Sequence, residues 1–366
     1  MKKGFSRRRF AQSVLTGATL LPAALSARAP GNQWSATGMK LGVSHQRPEM
    51  LTDDHLNYLK QMGVEYLEVR TVAEQGGYGN LVAIKRKVEG AGLKLFEIML
   101  DDTYNSPEFA LGLPGRDEKI ALFQNFIKDL GKAGIDATTY AWNTLGPGGS
   151  TGRTTTRGCD TRLFEYGQVS RTPGEGERAH SEEEMWANYE YFIRRVLPVA
   201  EAAKVRLQLH PNDPPVDYLG LGVARIFKSR QAFRRALEIA GYSPYSGLLL
   251  CVGCWSEMLG PDGKGEDIVE AIHEFGSRGH IFQVHYRNVS SPAVPGFHET
   301  FPDDGYTNMY KIMRALGEVH YNGMLVPDHV PRCGDNDLAN RAGEAFIFGY
   351  IRAMIQAVDT ELGRRA

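Results

Sequence analysis

Between residues 40 and 358 the chain repeats one pattern eight times: a short β-suited run, then a longer stretch with apolar residues at helical spacing. The strand candidates are Lys40–Val43, Tyr66–Val69, Lys94–Met99, Ala137–Trp142, Val205–His210, Leu248–Val252, Ile281–His285 and Gly323–Val326. The helical stretches are Asp54–Met62, Leu81–Ala91, Asp117–Ala133, Ser181–Ala203, Arg230–Ala240, Ile268–Phe275, Asn308–Leu316 and Asn340–Val358. In the fourth of these, Tyr189, Phe192, Ile193, Val196 and Val199 fall along one face. Gly63, Gly92, Gly134 and the Asn322-Gly323 pair supply turns at or just before strands. Parallel strands need crossover connections, which the helices provide. Eight β-then-α units predict an α/β chain folded as one (β/α)8 TIM barrel, with a catalytic domain over 39–360. An open doubly wound sheet is the competing arrangement, but no Gly-rich nucleotide turn follows the first strand. The Gly-, Thr- and Arg-rich segment from Asn143 to His180 is too long for a compact connector and reads as a lid or polar substrate wall.

Ahead of this pattern, Met1–Ala29 has a different layout. A basic start leads into Ser6-Arg7-Arg8-Arg9-Phe10, an apolar run from Val14 to Leu25, and the small-residue site Ala27-Arg28-Ala29. That order is expected of a twin-arginine-type signal peptide, followed by a linker over 30–38, and it places the mature protein in the periplasm or otherwise outside the cytoplasm. No later run is long and apolar enough for an integral membrane span. The net charge of −1 gives no field for nucleic acid. A homo-oligomer is compatible with the sequence.

The four cysteines, Cys159, Cys251, Cys254 and Cys333, are too few for a disulfide scaffold. Cys251 and Cys254 form a C-x-x-C, but a zinc ribbon needs a second pair and there is none. The barrel geometry gives Cys251 a different meaning. Active sites of parallel barrels lie at the C-terminal ends of the strands. The fifth strand candidate ends at His210, the sixth carries Cys251 near its end, the seventh ends at His285, and Asp328 and His329 follow the eighth. Imidazole, thiolate, imidazole and carboxylate thus reach one face from four successive strands. That donor set suits a divalent ion such as Mn2+ or Fe2+.

Several motifs then carry a specific likeness. Leu209-His210-Pro211-Asn212-Asp213-Pro214-Pro215, with Leu219-Gly220-Leu221 after it, resembles the H-P-D-D-P-P…L-G-L signature of mannonate dehydratases. Leu250-Cys251-Val252-Gly253 is similar to that family's C-x-G turn, and Val284-His285-Tyr286-Arg287-Asn288 to its H-x-R element. Phe297-His298-Glu299, Asp304-Gly305 with Asn308-Met309-Tyr310, and Pro327-Asp328-His329 resemble its F-H-E, D-G…D-M-Y and P-D-H. Towards the N-terminus the likeness thins to a barrel start near Gly42 and the stretch Gly152-Arg153-Thr154.

The resemblance implies dehydration of a six-carbon sugar acid to 2-keto-3-deoxygluconate with Mn2+ or a similar ion. It implies His210, Cys251, His285 and Asp328 as metal ligands, with Asp328 also serving the reaction. Arg287 would clamp the substrate carboxylate, and His298 or His329 would transfer protons, His298 being preferred because its loop should cross the barrel mouth. Arg153, Arg157, Asp213 and Glu299 are expected to touch the substrate. Two departures stand out: Asn212 replaces the first Asp of the signature, and no tyrosine lies between Gly334 and Glu344, where the family carries one within P-G-Y; the first aromatic is Phe346. A sugar isomerase or epimerase sharing the metal site, or a non-catalytic sugar-acid binding protein, are the alternatives.

Overall fold

The structure, a computed structural model, describes residues 34–143, 149–169, 178–219 and 222–364. The expected signal peptide and the Gly220-Leu221 end of the L-G-L element lie outside these residues.

Twelve strands are formed: β1 (Lys40–Gln46), β2 (Tyr66–Thr71), β3 (Lys94–Leu100), β4 (Ala137–Ala141), β5 (Gly152–Thr156), β6 (Cys159–Glu165), β7 (Arg206–His210), β8 (Ser246–Cys251), β9 (Ile281–His285), β10 (Asn288–Val289), β11 (Gly296–Thr300) and β12 (Met324–Val326). Eight of them form one sheet in the order β3-β2-β1-β12-β9-β8-β7-β4. Its pairs are all parallel. β3 and β4 lie side by side without a hydrogen-bonded register, so the barrel is nearly closed. All eight expected strands are present, each within a few residues of its expected limits.

The helices form where apolar periodicity and capping agree. Glu182–Ala203 starts at a capping box made by Ser181 and Glu184 and buries Met185, Trp186, Tyr189, Phe192, Ile193 and Val196 against the sheet. Arg116–Ala133 ends at Gly134, whose φ of 67° is the left-handed cap that favours glycine. The stretch expected as one helix from Ile268 divides into an α-turn, Ile268–Ala271, and a π-helical turn, Ile272–Gly276. Just ahead of β1, the Ala36 and Thr37 amides donate hydrogen bonds to Asp359, so this stretch is fastened to the C-terminal helix.

Register fixes where the strand ends sit. Ala141 pairs with His210, Cys251 with His285, and His285 with Val326. The last residues of β4 and β7 therefore stand level with each other, as do those of β8, β9 and β12, while the pairing of Leu209 with Leu248 staggers the two groups along the rim. Over that rim lies a second, antiparallel sheet in the order β10-β11-β6-β5. It is built from loops that leave β4 and β9 at their C-terminal ends. The segment expected as a lid thus contains a β-hairpin, β5–β6. Its two-residue turn is Arg157-Gly158, with φ of 50° and 78°, the paired positive values that a tight hairpin requires. A Cys159–Cys333 disulfide and a short bridge between Asp160 and Arg332 join the hairpin to the chain after β12.

The barrel interior is unusual for its polar layer. Thr139 Oγ1 and Gln208 Nε2 each donate to Glu97 Oε2 at 2.8 Å. Gln208 also donates to Gln283 Oε1 at 3.2 Å, and Gln283 donates to Glu68 Oε2 at 3.0 Å. Burial, then the charge on Glu68, push the Glu97 carboxyl up to about 8.

Candidate metal centre and active site

Cys251, His285 and Asp328 each place one ligand atom within 4.8 Å of the others, and all three are buried. Cys251 Sγ lies 3.8 Å, and His285 Nδ1 3.3 Å, from Asp328 Oδ2. His210 joins Cys251 and Cys254 in an overlapping group of the same tightness, and its ring lies 5.5 Å from that of His285. The four expected ligands are therefore brought together by the rim, with Cys251 common to both groups.

The chemistry of this set fits a divalent cation. His285 is buried, yet neither ring nitrogen makes a well-directed hydrogen bond; Nε2 is 3.9 Å from Glu68 Oε2. Two unbonded nitrogens at such a position are costly unless something else occupies them. His210 Nδ1 contacts the Pro211 carbonyl at 2.8 Å, a bond that fixes Nδ1 as donor and leaves Nε2 as the free lone pair. Burial alone would raise the Cys251 thiol, but Cys254, Arg287, His210 and His285 hold it well below the usual thiol range, towards thiolate.

Asp328 is the hub. Its Oδ2 accepts from Arg287 Nε at 2.8 Å, and its Oδ1 lies 2.9 Å from His45 Nε2 and 3.6 Å from His329 Nε2. His45 is the penultimate residue of β1 and His329 follows β12; both are non-glycine residues at positive φ, 58° and 49°. A register shift between β1 and β2 at this point re-aims His45 into the mouth. His329 Nδ1 is held by Glu299 Oε1. Burial opposes charge on His329, but Asp328 and Glu299 outweigh it and raise its pKa to about 9.

Arg287 departs from its expected role. Nη1 donates to Glu257 at 2.8 Å, Nη2 donates to Asp213 at 2.8 Å and to the Cys254 sulfur at 3.1 Å, and Nε is taken by Asp328. The group is buried and engaged at every nitrogen, so it holds Asp328 in place rather than clamping a substrate carboxylate. Asp213 and Glu299, expected at the substrate, are engaged by the same network. Asp213 Oδ1 pairs with Arg162 at 2.8 Å, and Glu299 lies 3.0 Å from Arg162 and 3.3 Å from Arg287. Arg153 is turned along the hairpin onto Asp160, and Arg157 binds Asp303 and Asp304. No described contact joins either to the ligand cluster. His298 lies on β11 between Phe297 and Glu299, both buried on the inner face. Strand alternation sends its side chain to the other face, away from His329.

Asn212 is explained locally. Its amide donates to Trp142 O and Asn143 Oδ1, both at 3.0 Å, and its oxygen accepts from Phe227 N at 2.7 Å. An aspartate would lose both donations. Phe346 is 42% exposed and packs edge-on against Phe301, outside the ligand cluster.

With this geometry in view, likeness to known proteins becomes decisive. The family model for D-mannonate dehydratase (UxuA) matches residues 165–361. The chain belongs to the mannonate dehydratase family. A mannonate dehydratase from Thermotoga maritima is 30% identical over 297 residues, covering 70% of this chain and 79% of that protein. The crystal structure of mannonate dehydratase from Streptococcus suis serotype 2 superposes with a TM-score of 0.76 at 25% identity, over 90% of this chain and 96% of that one. A D-psicose 3-epimerase from Clostridium cellulolyticum H10, at 17% identity and a TM-score of 0.58, covers 87% of this chain and 99% of its own, and shares the barrel fold. Membership makes the chain a hydro-lyase of a metal-dependent family.

Sequence reasoning missed His45, Arg70, Tyr104 and Arg162. The strand-end rule could have found the first two, since His45 and Arg70 are the penultimate residues of β1 and β2. Arg162 carried no such signal, because the hairpin that presents it was read as a loop.

Proposed function

We propose that this protein converts D-mannonate, or a closely related aldonic acid, to 2-keto-3-deoxygluconate and water. The observation that carries this is the Cys251, His285 and Asp328 cluster on the rim of a mannonate dehydratase-family barrel. His210, Cys251, His285 and Asp328 would hold the ion, and this nitrogen, sulfur and oxygen set suits Mn2+ or Fe2+. When bound, the ion supplies stabilisation of the negative charge that develops on the substrate oxygens.

The reaction breaks the C2–H and C3–O bonds, releases the C3 hydroxyl as water, and lets the resulting enol revert to a ketone. The leaving hydroxyl needs a proton, and general acid help of this kind is worth roughly 10²–10⁴-fold. His329 takes this role: Glu299 orients its Nδ1, its Nε2 faces Asp328, and its side chain is 34% exposed to the mouth. His45, hydrogen-bonded to Asp328 Oδ1, is placed to shuttle the C2 proton. Arg287 and Arg162 balance the buried carboxylates around them, so that the mouth itself keeps its charge pattern.

Export in folded form belongs to the same reading. It is supported by the Ser6-Arg7-Arg8-Arg9-Phe10 stretch and by the Cys159–Cys333 disulfide, a bond that oxidising compartments preserve.

The test is to incubate metal-loaded protein with a panel of aldonic acids and assay 2-keto-3-deoxy products, alongside His329→Asn and His298→Asn. Product from D-mannonate is expected, reduced about 100-fold or more by His329→Asn and little changed by His298→Asn. Product formation unaffected by His329→Asn would remove His329 as the acid, and no product from any acid would overturn the dehydratase reading.

A further inference from the structure

The ligand side chains occupy one arc of the rim, from β7 round to β12. The opposite arc, at the ends of β1, β2 and β3, has its own cluster of polar groups. Arg70, on β2, donates from Nε to Asp101 Oδ1 at 2.8 Å and lies 3.2 Å from His45 Nδ1 through Nη1. Asp101 also pairs with Arg47 at 2.9 Å. The Arg70 guanidinium lies over the ring of Tyr104, 4.9 Å from its centre, a cation–π contact that fixes the ring. On its other side Tyr104 meets the ring of the ligand His210 edge-on, with centroids 6.3 Å apart. Tyr104 thus closes the circle of the mouth between β3 and β7.

Its hydroxyl accounts for nothing else. Among the described residues no hydrogen bond engages it, whereas the hydroxyls of Tyr286, Tyr306 and Tyr310 are each bonded within the protein. Tyr286 donates to Met309 O, Tyr306 to Ser256 O, and Tyr310 to Glu361. Tyr350 stacks on Phe346 away from the ligands. A half-buried phenol with Arg70 over its ring and His210 at its edge, and with no partner for its hydroxyl, has a polar group free to meet a bound ligand.

We propose that Tyr104 is a substrate-contacting residue, its hydroxyl donating a hydrogen bond to an oxygen of the bound sugar acid, and that Arg70 is the positioning residue that holds it there. The inference rests on the sugar-acid reading of the site given above. A phenol is protonated at neutral pH, so its hydroxyl is available as a donor. Asp101 and Arg47 hold Arg70 in turn, which makes this arc a pre-built wall rather than a set of free side chains.

The experiment compares the parent, Tyr104→Phe and Arg70→Lys as full chains. Three quantities are measured: metal content, equilibrium binding of D-mannonate and D-gluconate by calorimetry, and keto-deoxy acid formation. Tyr104→Phe removes one oxygen and keeps the ring between Arg70 and His210. It should retain parental metal content and lose about tenfold in aldonate affinity or kcat/KM, the loss of one donor hydrogen bond. Arg70→Lys should show the same loss, because an ammonium does not stack on the ring as the planar guanidinium does. Parental binding and turnover in Tyr104→Phe would overturn the proposal while leaving the dehydratase reading intact. If the parent binds an aldonate without turning it over, the dehydratase reading fails, and weaker binding by Tyr104→Phe still supports the role of Tyr104. A parent that neither binds nor converts any aldonate overturns both.

Discussion

Cys251 sits where two overlapping ligand groups meet, next to His210 on one side and to His285 and Asp328 on the other. Its replacement is therefore the sharpest probe of single side chains. Cys251→Ser should weaken metal binding on the order of tenfold or more, since even loss of a supporting partner costs that much. Metal per chain after dialysis, measured by mass spectrometry, checks this; unchanged stoichiometry would exclude Cys251 as a ligand. The clustering of His210, Cys251, His285 and Asp328 was legible in the sequence because one rule, strand ends on one rim, converts chain position into spatial position. The roles of Arg287, Asp213 and Glu299 were not legible. Each is the right chemical type for a sugar acid, but whether a guanidinium or carboxylate is free depends on partners brought from distant loops. Arg162 is such a partner, and it reaches Asp213 across 51 residues of sequence.

Among the elements, the barrel strands were readable because their apolar runs and their turn residues agree, and Gly134 marks a helix end as its position suggests. The β5–β6 hairpin was not, because its runs are rich in Thr and Arg rather than in large apolar residues, and Arg157-Gly158 is a weaker turn signal than Asn-Gly. The hairpin is held by one disulfide that closes 174 residues of chain. Bonds of this kind typically contribute about 2–4 kcal/mol. Cys159→Ser should lower the urea midpoint correspondingly while Cys251 and Cys254 stay free; an unchanged midpoint would mean that the bridge contributes nothing to stability in solution. The hairpin also carries Arg162 on β6, so the same variant should lower activity if the loosened hairpin withdraws that group from Asp213.

At the scale of the whole molecule, the polar layer across the barrel couples stability to pH. Glu97 has a folded-state pKa of about 8 against an ordinary value of 4.5. Its contribution is fully present below its unfolded pKa and is lost as pH rises through about 8, with a slope of at most ~1.4 kcal/mol per pH unit from this one group. Glu97→Gln keeps the shape and cannot ionise, so its stability relative to the parent should rise between pH 5 and pH 8 in urea titrations. Parallel profiles would show that Glu97 does not titrate in this range. Single polar residues within apolar strands gave no hint of this layer, because the sequence does not say which of them point inward together. The most direct test of the function is a proton NMR time course of D-mannonate with metal-loaded protein. Loss of mannonate with growth of the C3 methylene signals of a 2-keto-3-deoxy acid, abolished by chelation and restored by Mn2+ or Fe2+, is the expected result. Conversion to an isomeric sugar acid with no methylene, or turnover that persists in the metal-free protein, would contradict it.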